Sequence, residues 1–202
     1  MRGILTTTLL IICHLWLNAG SASADRWAAP SELLVVKHGV DSQNGRYHAR
    51  IIPGGAFGLD PEKATHARAV LTTKPRGTEV TFSLLNPVAP VDAILLDDGS
   101  LVTCDNWSRM GYGKVLVFYE PTGNVRWSYE LKELLSEERL RGVRLTISSI
   151  WWRKQPFEWQ LESAQDTTQS ILLRLWNDDQ LRVYISDGRL EYIPLEGEQG
   201  AR

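Results

Sequence analysis

From residue 69 to residue 194, short apolar or alternating runs recur about every ten residues, each bounded by a turn cluster. Few folds accept that rhythm. Residues 69–73 and 78–84 flank "KPRG", residues 91–96 and 101–103 flank "DDGS", and residues 114–120 and 125–131 flank "PTGN". Asp98-Gly99 is a strong short hairpin signal, and Val80, Phe82 and Leu84 alternate with Thr81 and Ser83 as a half-buried strand does. Further strands are expected at 144–152, 158–163, 170–176, 181–186 and 190–194, with Asp187-Gly188 as the last tight turn. Upstream, residues 33–37 form an apolar run and residues 46–52 alternate, with Tyr47, Ala49 and Ile51 on one face. Asp60 and Pro61 suit the start of a helical turn over residues 60–65. One longer helix is expected near residues 130–141, "ELKELLSEERLR", closed by Gly142. The pattern predicts a single all-β domain over residues 25–195, an antiparallel meander.

The first residues set the compartment. A charged start, an apolar run over residues 4–17 and small residues at Ala22 and Ala24 form a secretory signal peptide over residues 1–24. Its apolar run is short for a membrane span, which needs about 20 residues. No later run is long enough, so no membrane span is expected after cleavage. The chain is expected to be exported, periplasmic or extracellular. Residues 196–202, "EGEQGAR", have nothing to bury and are expected to be a disordered tail.

Charge then excludes partners. The chain carries 22 Lys and Arg against 24 Asp and Glu, a net charge of −2, with both signs interspersed. No basic stripe exists for nucleic acid. Only Cys13 and Cys104 are present, and cleavage removes the first, so no disulfide can form within the mature chain. A lone exported cysteine is most simply a buried, inert strand residue.

Residues 97–131, with their core "VLVFYEPTGNVRW", resemble a β-propeller blade of the quinoprotein-like type: an apolar strand, a turn ending in Gly, then a strand bearing an aromatic. The resemblance covers only that stretch. It implies blade-like hairpins, arranged as an incomplete propeller or a sandwich, and no period of 40–50 residues marks a complete one.

Chemical constellations are sparse. Cys104 with His48 or His66 and Asp105 would be the parts of a Cys/His-dependent hydrolase, but the flanks of Cys104 match no such signature. Asp97, Asp98, Asp105 and Asn106 are oxygen donors close in sequence, yet they lack EF-hand spacing, and turn or capping roles account for them. No zinc spacing, nucleophile elbow or P-loop exists. Glu158 and Glu162 share a strand face and are taken as solvated charges. No catalytic residue, metal or cofactor is therefore assigned.

Tryptophan is the conspicuous residue. Trp151 and Trp152 must point to opposite faces of a strand, and Trp159 lies close by in "WWRKQPFEW". The stretch "TCDNWSRMGYG", residues 103–113, adds Trp107 and Tyr112, one of which is expected to fold back as a plug. Indole combines apolar area with a donor, which suits interfaces and sugar platforms alike. The sequence thus predicts an exported, non-enzymatic β-rich binding or scaffold protein. Trp107, Tyr112, Trp151, Trp152 and Trp159 are the candidate binding residues. A protein of the cell envelope is the expected partner, and a carbohydrate is the alternative ligand.

Overall fold

The computed structural model describes residues 29–55, 65–154 and 169–195 in full, and residues 159–163 as backbone. The expected leader, the expected tail, all but the last residue of the turn at 60–65, and the Trp159 side chain lie outside the described residues.

The all-β expectation holds. After a one-turn helix, α1 (Leu34–Lys37), the chain builds three four-stranded antiparallel meanders. The first sheet comprises β1 (Val40–Asp41), β2 (Tyr47–Ile52), β3 (His66–Thr73) and β4 (Thr78–Pro87). The second comprises β5 (Pro90–Leu95), β6 (Leu101–Asn106), β7 (Lys114–Tyr119) and β8 (Val125–Glu130). A linking segment follows, with α2 (Leu131–Leu134), α3 (Glu137–Leu140) and a two-stranded hairpin of β9 (Arg144–Leu145) and β10 (Ile150–Trp151). The third sheet comprises β11 (Trp159–Ser163), β12 (Gln169–Arg174), β13 (Gln180–Tyr184) and β14 (Leu190–Ile193). In each large sheet the strands follow chain order, as in a propeller blade, and the fold is propeller-like.

The two central strands of the second sheet, β6 and β7, are buried on both faces, which explains their continuous apolar runs. Every residue of β6 is buried. Leu101, Val117 and Tyr119 pack with Ala49, Ile51, Leu71 and Leu84 of the first sheet. Val102, Cys104, Leu116 and Phe118 point the other way, towards Ile171, Leu173, Leu181 and Val183 of the third. Each such aliphatic side chain stabilises the fold by roughly 1.5–3 kcal/mol relative to exposure. A register shift between Lys114 and Leu116 lets both Val115 and Leu116 enter the second core. Polar ties pin the layers: Leu85 N donates to Tyr119 Oη at 2.6 Å, and Trp127 Nε1 donates to the Ile185 carbonyl at 3.2 Å.

Three local expectations change. Residues 33–37 turn out to hold a helical turn, which buries Val35 against the first sheet. The helix expected near 130–141 is two separate turns, because Leu135 is extended (φ −127°, ψ 134°) and buries its side chain in the core. Ser136 then restarts the helix by accepting from Arg139 N. The single strand expected at 144–152 is instead the tight β9–β10 hairpin.

Candidate functional site

The stretch 103–113 leaves β6 and returns to β7 across a tight loop, and its two polar strand residues hold that loop from below. Asn106 Nδ2 donates to the carbonyls of Tyr112 at 2.6 Å and Lys114 at 3.3 Å. Asp105 sits in the left-handed region (φ 56°) with its carboxylate wholly buried. Its Oδ1 accepts from Gly111 N at 3.0 Å and from Trp152 Nε1 at 2.9 Å, and its Oδ2 accepts from Arg153 Nε at 2.6 Å. One carboxylate therefore fixes the loop and the segment, Trp152 and Arg153, that leaves the β9–β10 hairpin. A buried charge demands such a set of partners, since the desolvation cost would otherwise be several kcal/mol. Below it, Asn86 of β4 donates to the Asp105 carbonyl at 3.1 Å and accepts from Thr103 Oγ1 at 2.8 Å.

Gly111 packs directly on the hairpin. With φ at +79°, it would place a Cβ 2.6 Å from Ile150 Cβ, so only glycine fits. Ile150 N donates to the Met110 carbonyl at 2.9 Å, and the Met110 side chain is 1% exposed. Met110 is thus the long side chain of this loop that is fully enclosed. Trp107 is half-buried and Tyr112 is exposed.

Between this loop, the two helical turns and the hairpin lies an open groove of about 370 Å³. Residues 111–113 line one part of it, Leu131 and Leu140 another, and Leu145 and Ile150 close it from the hairpin. Glu130 and Lys132 stand at its edge and pair with each other at 3.0 Å. Lys114 lies 3.6 Å from Glu130 and 3.4 Å from Glu133. The groove is apolar in its lining and nearly neutral at its rim.

The candidate aromatics separate. Trp152 is 0% exposed and points into the core, so it cannot meet a ligand. Its role is to hold Asp105. Trp151, Trp107 and Trp176 are half-buried and Trp127 is buried, so none of the described tryptophans offers the open indole face that a sugar platform needs. Tyr112 alone among the described candidates both reaches solvent and lines the groove.

Cys104 is fully buried between the second and third sheets. Burial pushes its thiol well above the usual range, and the nearby Asp105 charge adds to this. His48 and His66 belong to the first sheet, on the opposite side of the second, where they bond Asp41 and the Leu84 carbonyl. The Cys104 thiol donates to Asp105 Oδ2 at 3.8 Å, is shut off from solvent, and lies on the other side of the second sheet from His48 and His66. Asp97 accepts from Asn44 N at 2.8 Å, and Asp98 closes its own turn by accepting from Ser100 N at 2.8 Å. Those two and Asp105 are spoken for separately and do not converge.

Sequence reasoning overlooked Asp92, Met110, Leu145 and Ile147. Asp92, on β5 opposite Cys104, has its carboxyl pushed up to about 6, chiefly by burial. Arg153 draws it down and Asp105 pushes it further up. An acidic residue in an apolar strand was the available signal, but not the identity of its neighbours.

No known family model matches the chain, and no curated protein matches it. Among solved structures, HIRA (residues 644–1017) aligns with a TM-score of 0.35 and 10% identity over 76% of this chain. The chain spans about half the length of that structure, 53%.

Proposed function

We propose that this chain is an exported, non-enzymatic binding or scaffold protein of the cell envelope, periplasmic, whose groove beside residues 111–113 receives a protein partner. The signal-peptide pattern of residues 1–24 supports export. One observation carries the docking reading: Tyr112 and Leu145, which line an apolar groove, are 42% and 67% exposed, and Ile147 in the same hairpin as Leu145 is 106% exposed. Contiguous apolar surface of this kind on a soluble protein marks a contact site more often than isolated exposed side chains do. The buried Asp105 cluster supports it further, because it rigidifies both walls and so lowers the entropic cost of binding.

The test places a photo-reactive phenylalanine analogue at Tyr112 in cells and follows the cross-linked product. A discrete product, lost when Leu145→Asp is added, supports the docking surface. Absence of any discrete product across the groove overturns it.

A further inference from the structure

The groove and the most exposed apolar side chain share the β9–β10 hairpin. Ile147, at the tip of the β9–β10 hairpin, is 106% exposed, and Leu145, two residues before it, lines the groove. We propose that the groove's occupant is a second copy of this chain, with Ile147 of each copy seated in the groove of the other across a two-fold axis. The inference rests on the docking reading above and names its partner. An isologous contact requires a self-complementary patch that carries both a projection and its receptor, and the β9–β10 hairpin supplies the projection at Ile147 and part of the receptor at Leu145 and Ile150.

The projection is pre-formed. Thr146 N donates to the Ser149 carbonyl at 2.8 Å, and Ser149 N donates to Thr146 Oγ1 at 3.0 Å, which closes the turn around Ile147. Ile150 N is tied to Met110, and Trp152 and Arg153 are tied to Asp105. Little freedom remains to be lost when Ile147 is buried.

Charge favours the same occupant. The α2–α3 wall carries Glu137 and Glu138, which stand exposed, and the hairpin side carries exposed Arg144. None of the three is engaged in an ion pair among the described residues. Glu130 and Glu133 are already paired with Lys114 and Lys132 and add little repulsion. A two-fold axis sets the hairpin of one copy against the α2–α3 wall of the other, which brings Arg144 towards Glu137 and Glu138. Each copy contributes one projecting aliphatic side chain, so the dimer is a weak one.

Sedimentation velocity on the purified chain, from about 1 to about 100 µM, should show a monomer passing to a dimer. Ile147→Asp should weaken association by tenfold or more, since it places a charge in the apolar site, and should leave the melting temperature unchanged because Ile147 touches solvent. Arg144→Glu should weaken association severalfold, and adding Glu137→Arg should restore it. A wild-type monomer across the whole range, or a dimer indifferent to Ile147→Asp, overturns the second-copy occupant. If the Tyr112 cross-link then joins this chain to a different one, the docking reading survives while this inference fails. If no cross-link forms either, both fail.

Discussion

Arg153 Nε lies 2.6 Å from Asp105 Oδ2, and the two side chains are 2% and 0% exposed. A pair so sealed from water carries a desolvation cost that its attraction offsets only while both partners remain. Asp105→Asn keeps the side chain's shape and tolerates the left-handed backbone, but it takes the carboxylate charge away from a buried guanidinium. We expect a loss of about 3–5 kcal/mol in chemical denaturation. The double variant Asp105→Asn/Arg153→Met should recover part of that loss, because both buried charges of the pair are then gone. A single-variant loss below about 1 kcal/mol would sink the view that this pair anchors the site.

Asp92 should make the fold less stable as pH rises. Its carboxyl ionises near pH 6 in the folded chain against an ordinary value of 3.8. The native state therefore holds the proton more tightly than the unfolded state between those two values. The sign follows: this group's contribution is most favourable below about pH 4 and is lost as pH climbs through about 6, at a cost of at most about 3 kcal/mol. Asp92→Asn should raise stability at pH 7 and flatten the profile over that window. Urea denaturation at pH 4.5 and pH 7 on both proteins measures it; parallel profiles would refute the assignment.

Cys104 should behave as an inert thiol. Full burial excludes reagents, and the thiol is held well above its usual range, so little thiolate forms. Ellman's reagent at pH 7.5 should modify the native chain at least about 100-fold more slowly than the urea-unfolded chain, because reaction awaits opening of the core. Rapid native labelling would mean that the space between the second and third sheets is open.

Much of this fold was legible because turn chemistry is local. Asp98-Gly99 and the "KPRG" and "PTGN" turns each join the strands expected of them, and the hairpins pair in the anticipated order. What was not legible depends on contacts far apart in the chain. Residues 131–140 have the composition of a helix, but Leu135 is needed in the core and breaks it. Residues 144–152 have the composition of a strand, but the chain doubles back so that Ile150 meets Met110. "TCDN" looks like a strand ending in a turn, yet Asp105 is a buried hub whose partner Arg153 lies 48 residues away. Nothing within "WWRKQPFEW" marks Trp152 as a buried donor rather than an exposed platform. The groove was harder still, because it exists only where a loop, two helical turns and a hairpin meet.

Gly111→Ala tests whether that meeting is as tight as its geometry implies. Two penalties combine there: a left-handed backbone at φ +79°, and a Cβ placed 2.6 Å from Ile150 Cβ. The first alone costs about 1–2 kcal/mol, and forcing a methyl into a packed contact adds about 1–3 kcal/mol. Gly77 separates the two, since its φ is +66° but nothing lies within 4 Å of a Cβ there. Gly77→Ala should therefore lose only the backbone part in urea denaturation, and Gly111→Ala clearly more. Because Ile150 lines the groove, Gly111→Ala should also cut the yield of the Tyr112 cross-link under conditions where the chain is still folded, whereas Gly77→Ala should not. Equal losses at the two glycines would show that the β9–β10 hairpin yields freely and that the groove wall is not a rigid surface.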